Sequence, residues 1–311
     1  MTSLSLSALG AAACEAISDA ADWLEAQEQR FYLLPCRSSP ADFDEHFKPF
    51  LELSLVCYLL TRERHSKAQA AWHSWAEHLA RRLFDHLEWE GLIEMFRVCA
   101  EGTLGLAAYP FLGLASGQRS RFHSEAEAHI DHAYARSQER SPMREMDYQF
   151  TRHLFGSTCA GPSVSEQIRA TVLHSPPDPL LMDTDTLYDV THIIFYGTLF
   201  GANPNIFKKP TSNWLRENLG AMALARFLMD DADLGAELLL CRIYLGDPVD
   251  QLMIEGIERL LWARLASGSF KGPAEWAHGR DAFRDDYHTT LVAVVTLAEF
   301  ALMVDRLGGR V

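Results

Sequence analysis

The residues best suited to chemistry lie in two short stretches of the chain. The first is residues 183–201, DTDTLYDVTHIIFYGTLFG, in which Asp189, His192 and Tyr196 follow the i, i+3, i+7 spacing of one helix face. An acid, an imidazole and a phenol on one face of an otherwise apolar helix can line a reaction pocket. The alternative is a variant capping box of Thr186 and Asp189, followed by ordinary half-buried side chains.

The second stretch is residues 268–290, GSFKGPAEWAHGRDAFRDDYHTT, in which aromatic, imidazole and guanidinium groups are concentrated ahead of an apolar helix. Such a density of these side chains suits the lining of a cleft better than an exposed loop. The alternative is that Asp285 and Asp286 cap the last helix while Arg280 and Arg284 form surface ion pairs.

Together the two stretches predict a site for general acid–base chemistry, because imidazole titrates near neutral pH and a carboxylate can orient it. The candidate catalytic residues are Asp189, His192, Tyr196, Asp286, Tyr287 and His288. A second group is expected to bind the substrate. The cations Lys271, Arg280 and Arg284 suit a phosphate, sulfate or carboxylate. Trp276 would line the cleft, and the acids Asp231, Asp233 and Glu237 suit a cationic amine.

No metal and no cofactor are predicted. Two sets of side chains on single helix faces could supply metal ligands, namely Asp189 with His192, and Glu125 with His129 and His132. The second set lies in a polar stretch, where a solvated surface helix is the usual outcome. The sequence contains no H-E-x-x-H motif, Walker loop, G-x-G-x-x-G after a strand or G-x-S-x-G elbow, which weighs against the common zinc, nucleotide and serine-hydrolase chemistries.

The composition is that of a folded acidic protein, with 48% hydrophobic residues, 23% charged residues and a net charge of −14. This charge argues against a nucleic-acid-binding surface, which needs clustered Lys and Arg. No apolar run is long enough to predict a transmembrane helix. Residues 4–14 are apolar but follow no Lys or Arg, so we expect the start of a helix rather than a signal peptide. The six scattered cysteines favour a cytoplasmic protein.

Helical periodicity dominates the whole chain and no stretch alternates like a strand, so we predict an all-α fold in a single domain of residues 1–311. A more polar segment, 116–180, is interpreted as a connection between two helical halves. The sequence predicts one or two short helices within 90–115 and longer helices at about residues 8–30, 42–62, 66–88, 123–140, 185–200, 211–230, 233–246, 249–267 and 286–307.

Apolar runs begin just after His46, His192, Asp233 and His288, and the last three of these positions lie 41 and 55 residues apart. This spacing is the length of a helical hairpin with its loops. We therefore expect a helical-hairpin array that resembles a complete or partial α/α toroid, with apolar inner helices and an amphipathic outer ring. The N-termini of the inner helices would converge at one end, where their free N–H groups favour anions.

Three segments are similar to a poorly characterised family of actinobacterial all-helical proteins of secondary metabolism: FKPFLELSLVCYLL (47–60), DVTHIIFYGTLFG (189–201) and FRDDYHTTLVAVVTLAEF (283–300). They occur in the family's order and span most of the chain. One branch of that family comprises the two-component aziridine-forming enzymes of azabicyclic natural products, in which an amine displaces a neighbouring sulfate. The resemblance implies a cofactor-independent biosynthetic enzyme that forms a complex with a smaller partner protein, and it assigns no catalytic residue.

Three functional hypotheses follow. The first is an enzyme that catalyses cyclisation of, or elimination from, a small polar metabolite. This substrate is either free or bound to a carrier protein. In that enzyme Asp189 or His192 would take the ammonium proton, and Arg284, Lys271 or a helix N-terminus would stabilise the departing oxyanion. The second is a non-catalytic helical scaffold or binding module, in which the same side chains are caps and buried hydrogen-bonding groups. The third is a metal-dependent lyase or hydrolase.

Overall fold

A computed structural model describes residues 5–32, 40–66, 70–90, 92–93, 105–157, 161–274 and 281–308. Within these ranges the protein is helical, with no β-strand and one isolated bridge between Arg264 and Phe270. The predicted all-α class is confirmed, whereas the toroidal arrangement stays a prediction. No helix in the described ranges combines the length and the apolar character needed to cross a bilayer.

Most of the predicted helices are present, with ends that differ by a few residues. Short 3₁₀ helices lie at Asp85–Glu88, Val172–His174 and Pro179–Leu181. The α-helices of the described ranges are α1 (Leu6–Ala26), α2 (Glu28–Phe31), α3 (Pro40–Thr61), α4 (Glu63–Ser66), α5 (Ala70–Phe84), α6 (Ala108–Ser116), α7 (His123–Ile130), α8 (Ala133–Ser137), α9 (Pro142–Leu154), α10 (Val164–Ala170), α11 (Thr184–Gly197), α12 (Lys209–Leu228), α13 (Ala232–Tyr244), α14 (Gln251–Trp262) and α15 (Ala282–Gly308).

The chain divides into two compact units. Unit 1 comprises Met1–Ala26 and Ser163–Val311, and unit 2 comprises Gln27–Pro162. The boundary falls inside the segment 116–180, which also contributes folded structure of its own. Helix α9 buries Met146, Tyr148 and Phe150, and helix α10 begins with a complete capping box. The single-domain assignment of residues 1–311 stays a prediction.

Unit 2 contains a core in which α3, α5 and α6 pack against one another. Beside it, Tyr148 on α9 is buried and donates a hydrogen bond to the carbonyl of Ile130 at 2.6 Å. The guanidinium groups of Arg140 and Arg152 lie 3.9 and 5.7 Å from the centre of its ring. Arg152 also donates to Asp131 at 2.7 Å, so these charges hold the C-terminal part of unit 2 together.

Unit 1 is organised around α13, which contacts α11, α12, α14 and α15, while α15 also packs against α1. Every residue of α13 except Ile243 is buried. The sequence ADLGAELLLCRIY explains this burial, because apolar side chains surround nearly the whole helix rather than one face. Three charged residues are buried with them: Asp233, Glu237 and Arg242.

Helices α11, α13 and α15 of unit 1 begin at aspartate caps. Asp183 Oδ1 accepts a hydrogen bond from the backbone N–H of Thr186 at 2.8 Å, so Asp183 is the N-cap of α11. The capping box predicted for Thr186 and Asp189 is therefore wrong. At α13 the same role belongs to Asp231, whose Oδ1 accepts from Leu234 N at 3.1 Å.

The last helix, α15, begins in the same way. Asp281 Oδ1 accepts from the backbone N–H of Phe283 at 3.1 Å, and the carbonyl of Asp281 accepts from Asp285 N at 3.1 Å. Asp281 thus caps α15, and the alternative in which Asp285 and Asp286 cap this helix is wrong.

Candidate active site

Polar side chains from three helices of unit 1 come together. Helix α11 contributes Tyr188, Thr191 and His192, helix α13 contributes Asp233 and Glu237, and helix α15 contributes His288 and Thr289. We call these seven residues the carboxylate–histidine cluster. Asp233 lies in the first turn of α13, where the helix dipole and free N–H groups favour negative charge.

Two carboxylates form the buried floor of the cluster. Asp233 and Glu237 are one helical turn apart on α13, and their exposed fractions are 0% and 2%. Asp233 accepts hydrogen bonds from Tyr188 Oη at 2.7 Å and from Thr289 Oγ1 at 2.9 Å. Glu237 Oε2 accepts from Thr191 Oγ1 at 2.5 Å. Neutral hydroxyl groups therefore hold both acids in a fixed orientation.

Two imidazoles lie beside these carboxylates. His288 Nε2 is 3.7 Å from Asp233 Oδ2 and 3.8 Å from Glu237 Oε1, and His192 Nδ1 is 3.9 Å from Glu237 Oε2. The imidazole side chains are 18% exposed at His288 and 28% exposed at His192. The imidazoles are therefore in contact with solvent, although the carboxylates are covered.

The tautomer of His192 follows from its contact with the backbone. Its Nδ1 lies 2.8 Å from the carbonyl oxygen of Tyr188, which can only accept a hydrogen bond. Nδ1 therefore carries a proton, and in the neutral ring the lone pair is on Nε2. The ring centres of Phe195 and Tyr196 lie 5.8 and 6.1 Å from the centre of this imidazole, so two aromatic side chains flank it.

Burial and like charge act together on the acids. Burial raises the pKa of Asp233, and the nearby charge of Glu237 adds to this effect, against the opposing charge of His288. Burial also acts to raise the pKa of Glu237, but His192, His288 and the hydrogen bond from Thr191 lower it overall.

The phenol of Tyr188 stays protonated throughout the physiological range. Burial raises its pKa well above the usual value, and the charge of Asp233 and the hydrogen bond to it raise it further. Tyr188 is therefore a hydrogen-bond donor that positions Asp233 rather than a base.

Four of the predicted site residues are brought together in the cluster: His192, His288, Asp233 and Glu237. Sequence reasoning had assigned the two histidines to catalysis and the two acids to amine binding, and the structure shows a single site. The hydroxyl donors Tyr188, Thr191 and Thr289 were not predicted. The one available signal was that each is next to, or one helical turn from, a predicted histidine.

The other candidates on α11 and α15 lie near the cluster or have different partners. Asp189 and Tyr196 are half-buried on α11, and Tyr287 stacks on Phe283 with ring centres 5.0 Å apart. Asp286 is buried and accepts hydrogen bonds at 3.2 Å from two groups of the preceding turn, Ser269 Oγ and Gly272 N. Gly272 is required there, because a Cβ atom would lie 1.8 Å from the carbonyl oxygen of Asp285. A catalytic role for these residues stays a prediction.

The predicted anion-binding cations have acidic neighbours in the structure. Lys271 Nζ is paired with Asp230, and Arg284 Nε lies 3.7 Å from Asp281. The side chains of Lys271 and Arg284 are 46% and 54% exposed, so both ion pairs lie at the surface, as the alternative interpretation of the second stretch expected for Arg284. Two further candidates, Trp276 and Arg280, lie outside the described residues.

A metal ion could be held at one place in the described residues. Ligand atoms of Asp233, Glu237 and His288 all lie within 4.8 Å of one another. This set differs from both sets considered from the sequence. One of those included His132, which instead caps α8, where its Nδ1 accepts from Tyr134 N at 3.2 Å.

Comparison with known proteins identifies the family and goes no further. Residues 17–298 match the model of a family described as a domain of unknown function, DUF6895. No curated protein and no solved structure matches the chain. The chemistry of the cluster therefore has to be argued from its own geometry.

Proposed function

This chain belongs to the DUF6895 family, and we propose that unit 1 of this member is an enzyme of natural-product biosynthesis. The proposed reaction is intramolecular cyclisation or elimination on a small polar metabolite that bears an amine. One observation carries this proposal: two partly exposed imidazoles, His192 and His288, lie 3.7–3.9 Å from two buried carboxylates, Asp233 and Glu237. Partly exposed imidazoles beside buried carboxylates are suited to proton transfer.

His192 is the proposed base. Its Nδ1 proton is directed to the carbonyl of Tyr188, so Nε2 is free to accept a proton from a substrate. The imidazolium that forms is stabilised by Glu237, whose carboxylate lies 3.9 Å from Nδ1. Thr191 donates a hydrogen bond to Glu237, and this bond fixes the position of the carboxylate during proton transfer.

The charge of the cluster supports an amine as the substrate group. Two buried carboxylates attract an ammonium ion, and no described Lys or Arg is paired with either acid. Because an ammonium ion has no lone pair, it must lose a proton to Nε2 of His192 before it can attack. The main catalytic contribution is then to hold the amine in line with the leaving group.

We propose aziridine formation as the specific form of this reaction. The amine nitrogen forms a bond to the neighbouring carbon, the bond from that carbon to the sulfate oxygen breaks, and sulfate leaves with the electron pair. Electrons are neither gained nor lost, so the reaction needs no redox cofactor. The two partly exposed imidazoles support this proposal, since an imidazolium formed at His192 or His288 would stabilise the departing anion.

The test is turnover of a β-amino sulfate ester, followed by mass spectrometry of the cyclic product. We expect His192→Gln to lower turnover by about 100- to 10,000-fold, the range typical of a lost general base. His174, an exposed histidine of the same unit, provides the matched control, and His174→Gln should keep full turnover. Wild-type turnover in both His192→Gln and His288→Gln would contradict the proposal. A loss of stability alone would favour the non-catalytic binding module.

We also propose that the enzyme acts together with a smaller partner protein in the cytoplasm, where its buried thiols, such as that of Cys241, stay reduced. Four large apolar side chains support an interface: Leu180 and Leu181 ahead of α11, which are 92% and 79% exposed, and Leu228 and Met229 at the end of α12. The ends of these two helices are joined by a 3.2 Å hydrogen bond from Arg226 to Thr184.

Native mass spectrometry tests the partner directly. The chain is co-expressed with the products of its neighbouring genes, and we expect a heteromeric complex that Leu181→Asp weakens. Recovery of the chain without any of these products would contradict the proposal. If a carrier protein presents the substrate, the same spectrum would show a complex of the chain with that carrier protein.

A further inference from the structure

We propose that Asp233, Glu237 and His288 bind a divalent transition-metal ion, such as Mn²⁺ or Zn²⁺. The inference concerns the cluster described above but does not rest on its proposed reaction, which stands with or without an ion. It departs from the prediction, made from the sequence, that no metal is bound. Three features of the cluster carry it: the spacing of the ligand atoms, the orientation of the carboxylates and the balance of charge.

The spacing of the ligand atoms suits an ion better than direct hydrogen bonds. His288 Nε2 lies 3.7 Å from Asp233 Oδ2 and 3.8 Å from Glu237 Oε1, and both distances exceed the usual hydrogen-bond length. Neighbouring ligands of an ion with bonds of about 2.0–2.2 Å lie about 3–3.6 Å apart. A contraction of a few tenths of an ångström would bring His288 to this spacing from both acids, and all three ligand atoms lie within 4.8 Å of one another.

Hydroxyl groups orient the carboxylates toward this space. Thr191 holds Glu237 through Oε2, and Oε1 is the oxygen nearest His288. Thr289 holds Asp233 through Oδ1, while Oδ2 accepts a hydrogen bond from Tyr188 and is the oxygen nearest the same imidazole. Hydrogen bonds of this kind fix the ligands of protein metal sites from outside. The two threonines lie on different helices, so the orientation is imposed by the fold of unit 1.

The balance of charge also favours a cation. Asp233 and Glu237 could together carry two negative charges in a buried place, and the described residues offer them only imidazoles and hydroxyls. A divalent ion would balance both charges. One nitrogen and two oxygen ligands suit Mn²⁺, Fe²⁺ or Zn²⁺ better than Ca²⁺, which prefers oxygen alone. Three protein ligands would leave a coordination position open toward the exposed side of the cluster.

Titration calorimetry of the full chain, after treatment with a chelator, tests the proposal with Mn²⁺ and Zn²⁺ as separate probes. We expect one ion per chain. Asp233→Asn and His288→Gln remove a ligand, so each should weaken binding beyond the roughly 10- to 100-fold effect of losing an outer hydrogen bond. Thr191→Val removes such an outer hydrogen bond, so it should weaken ion binding by roughly 10- to 100-fold. Circular dichroism establishes that each variant is folded.

The double variant His129→Gln, His132→Gln is the matched control, because it removes two histidines of the set in unit 2 that was first considered from the sequence. Its affinity should equal that of the wild type. Loss of binding in this control, with binding retained in Asp233→Asn, would overturn the proposal. So would the absence of saturable binding to the folded wild-type chain.

Anomalous diffraction from zinc-loaded wild-type crystals needs no variant and locates the ion directly. We expect the strongest anomalous peak between Asp233, Glu237 and His288. A peak only at other residues would overturn the inference. The two proposals fail separately: a folded wild-type chain that turns over the substrate but binds neither Mn²⁺ nor Zn²⁺ would overturn this inference and leave the proposed function intact.

Discussion

The two ends of α13 carry buried charges in opposite arrangements. Near its start, Asp233 and Glu237 face hydroxyls and imidazoles. Near its end, Arg242 donates to Asp250 through both terminal nitrogens, at 2.9 and 2.8 Å, and to Asp247 through Nε at 3.2 Å. Arg216 Nε lies 3.2 Å from the second oxygen of Asp247. The second cluster thus has two positive and two negative groups, whereas the first has an excess of negative charge.

This difference separates a structural cluster from a functional one. Hydrogen bonds and the charge of Arg242 lower the pKa of Asp250, so the ionised pair is favoured by the fold. At the other end burial raises the pKa of Asp233, so the fold opposes the charge that it surrounds. Buried charges that are not neutralised cost stability, and sites that keep them are candidates for ligand binding or catalysis.

The largest effect on stability is expected from breaking the balanced cluster. Arg242→Met leaves Asp247 and Asp250 without their shared cation, and Asp247 is almost fully buried. Removing one partner of a buried ion pair typically costs about 3–5 kcal/mol. Urea unfolding would measure the loss, with Arg259→Met, which removes an ion pair to Glu255 on α14, as the more exposed control. A loss below about 1 kcal/mol in Arg242→Met would contradict the proposed difference between the two ends of α13.

A smaller effect is expected from the hydroxyl donors of the unbalanced cluster. Tyr188→Phe removes the hydrogen bond to Asp233 and keeps the ring, so we expect a loss of about 1.5–3 kcal/mol in the free energy of unfolding. Thr289→Val removes the second donor to the same carboxylate and should act in the same direction. Unchanged stability in both variants, measured by thermal unfolding, would show that these hydroxyls do not hold Asp233.

The dependence of stability on pH sharpens the contrast further. Asp250 has a pKa that is lowered in the folded protein, relative to about 3.9 in an unfolded chain. Its contribution is therefore complete above the unfolded pKa and is lost as the pH falls through the folded pKa. Asp250→Asn should make the free energy of unfolding less dependent on pH below about pH 4. An acid dependence identical to that of the wild type would contradict this assignment.

The smallest effect is expected at the exposed pair of Lys271 and Asp230. Lys271→Met should change the free energy of unfolding by no more than about 1 kcal/mol, because surface ion pairs contribute little. Turnover should also stay within a few-fold of the wild type. A large loss of turnover at unchanged stability would return Lys271 to the sulfate-binding role expected from the sequence.

The local sequence was sufficient to predict most of the helices and to identify individual polar residues of the candidate site. The apolar run of α13 predicted a buried helix, and His192, His288, Asp233 and Glu237 were each named. Their assembly could not be predicted, because these residues lie on three helices separated by loops, and helical periodicity does not specify which faces meet.

Other features could not be predicted from the sequence for related reasons. Thr191 and Thr289 are ordinary helix residues whose role depends on a partner from another helix. Arg242 sits in an apolar run and finds its partners only across the turn to α14. Helix α9 was missed because its polar residues and Pro142 suggest a connection, although Pro is favourable in the first turn of a helix.

The central claim is that the cluster at the start of α13 is retained for function and the one at its end for stability. The most direct test compares the free energies of unfolding of Asp233→Asn and Asp247→Asn in the metal-free protein. We predict that Asp233→Asn is as stable as the wild type or more stable, because burial raises the pKa of Asp233 and the fold therefore opposes the charge that the substitution removes. Asp247→Asn should lose roughly 2 kcal/mol or more. An equal loss in both variants would make the two clusters alike and contradict the account.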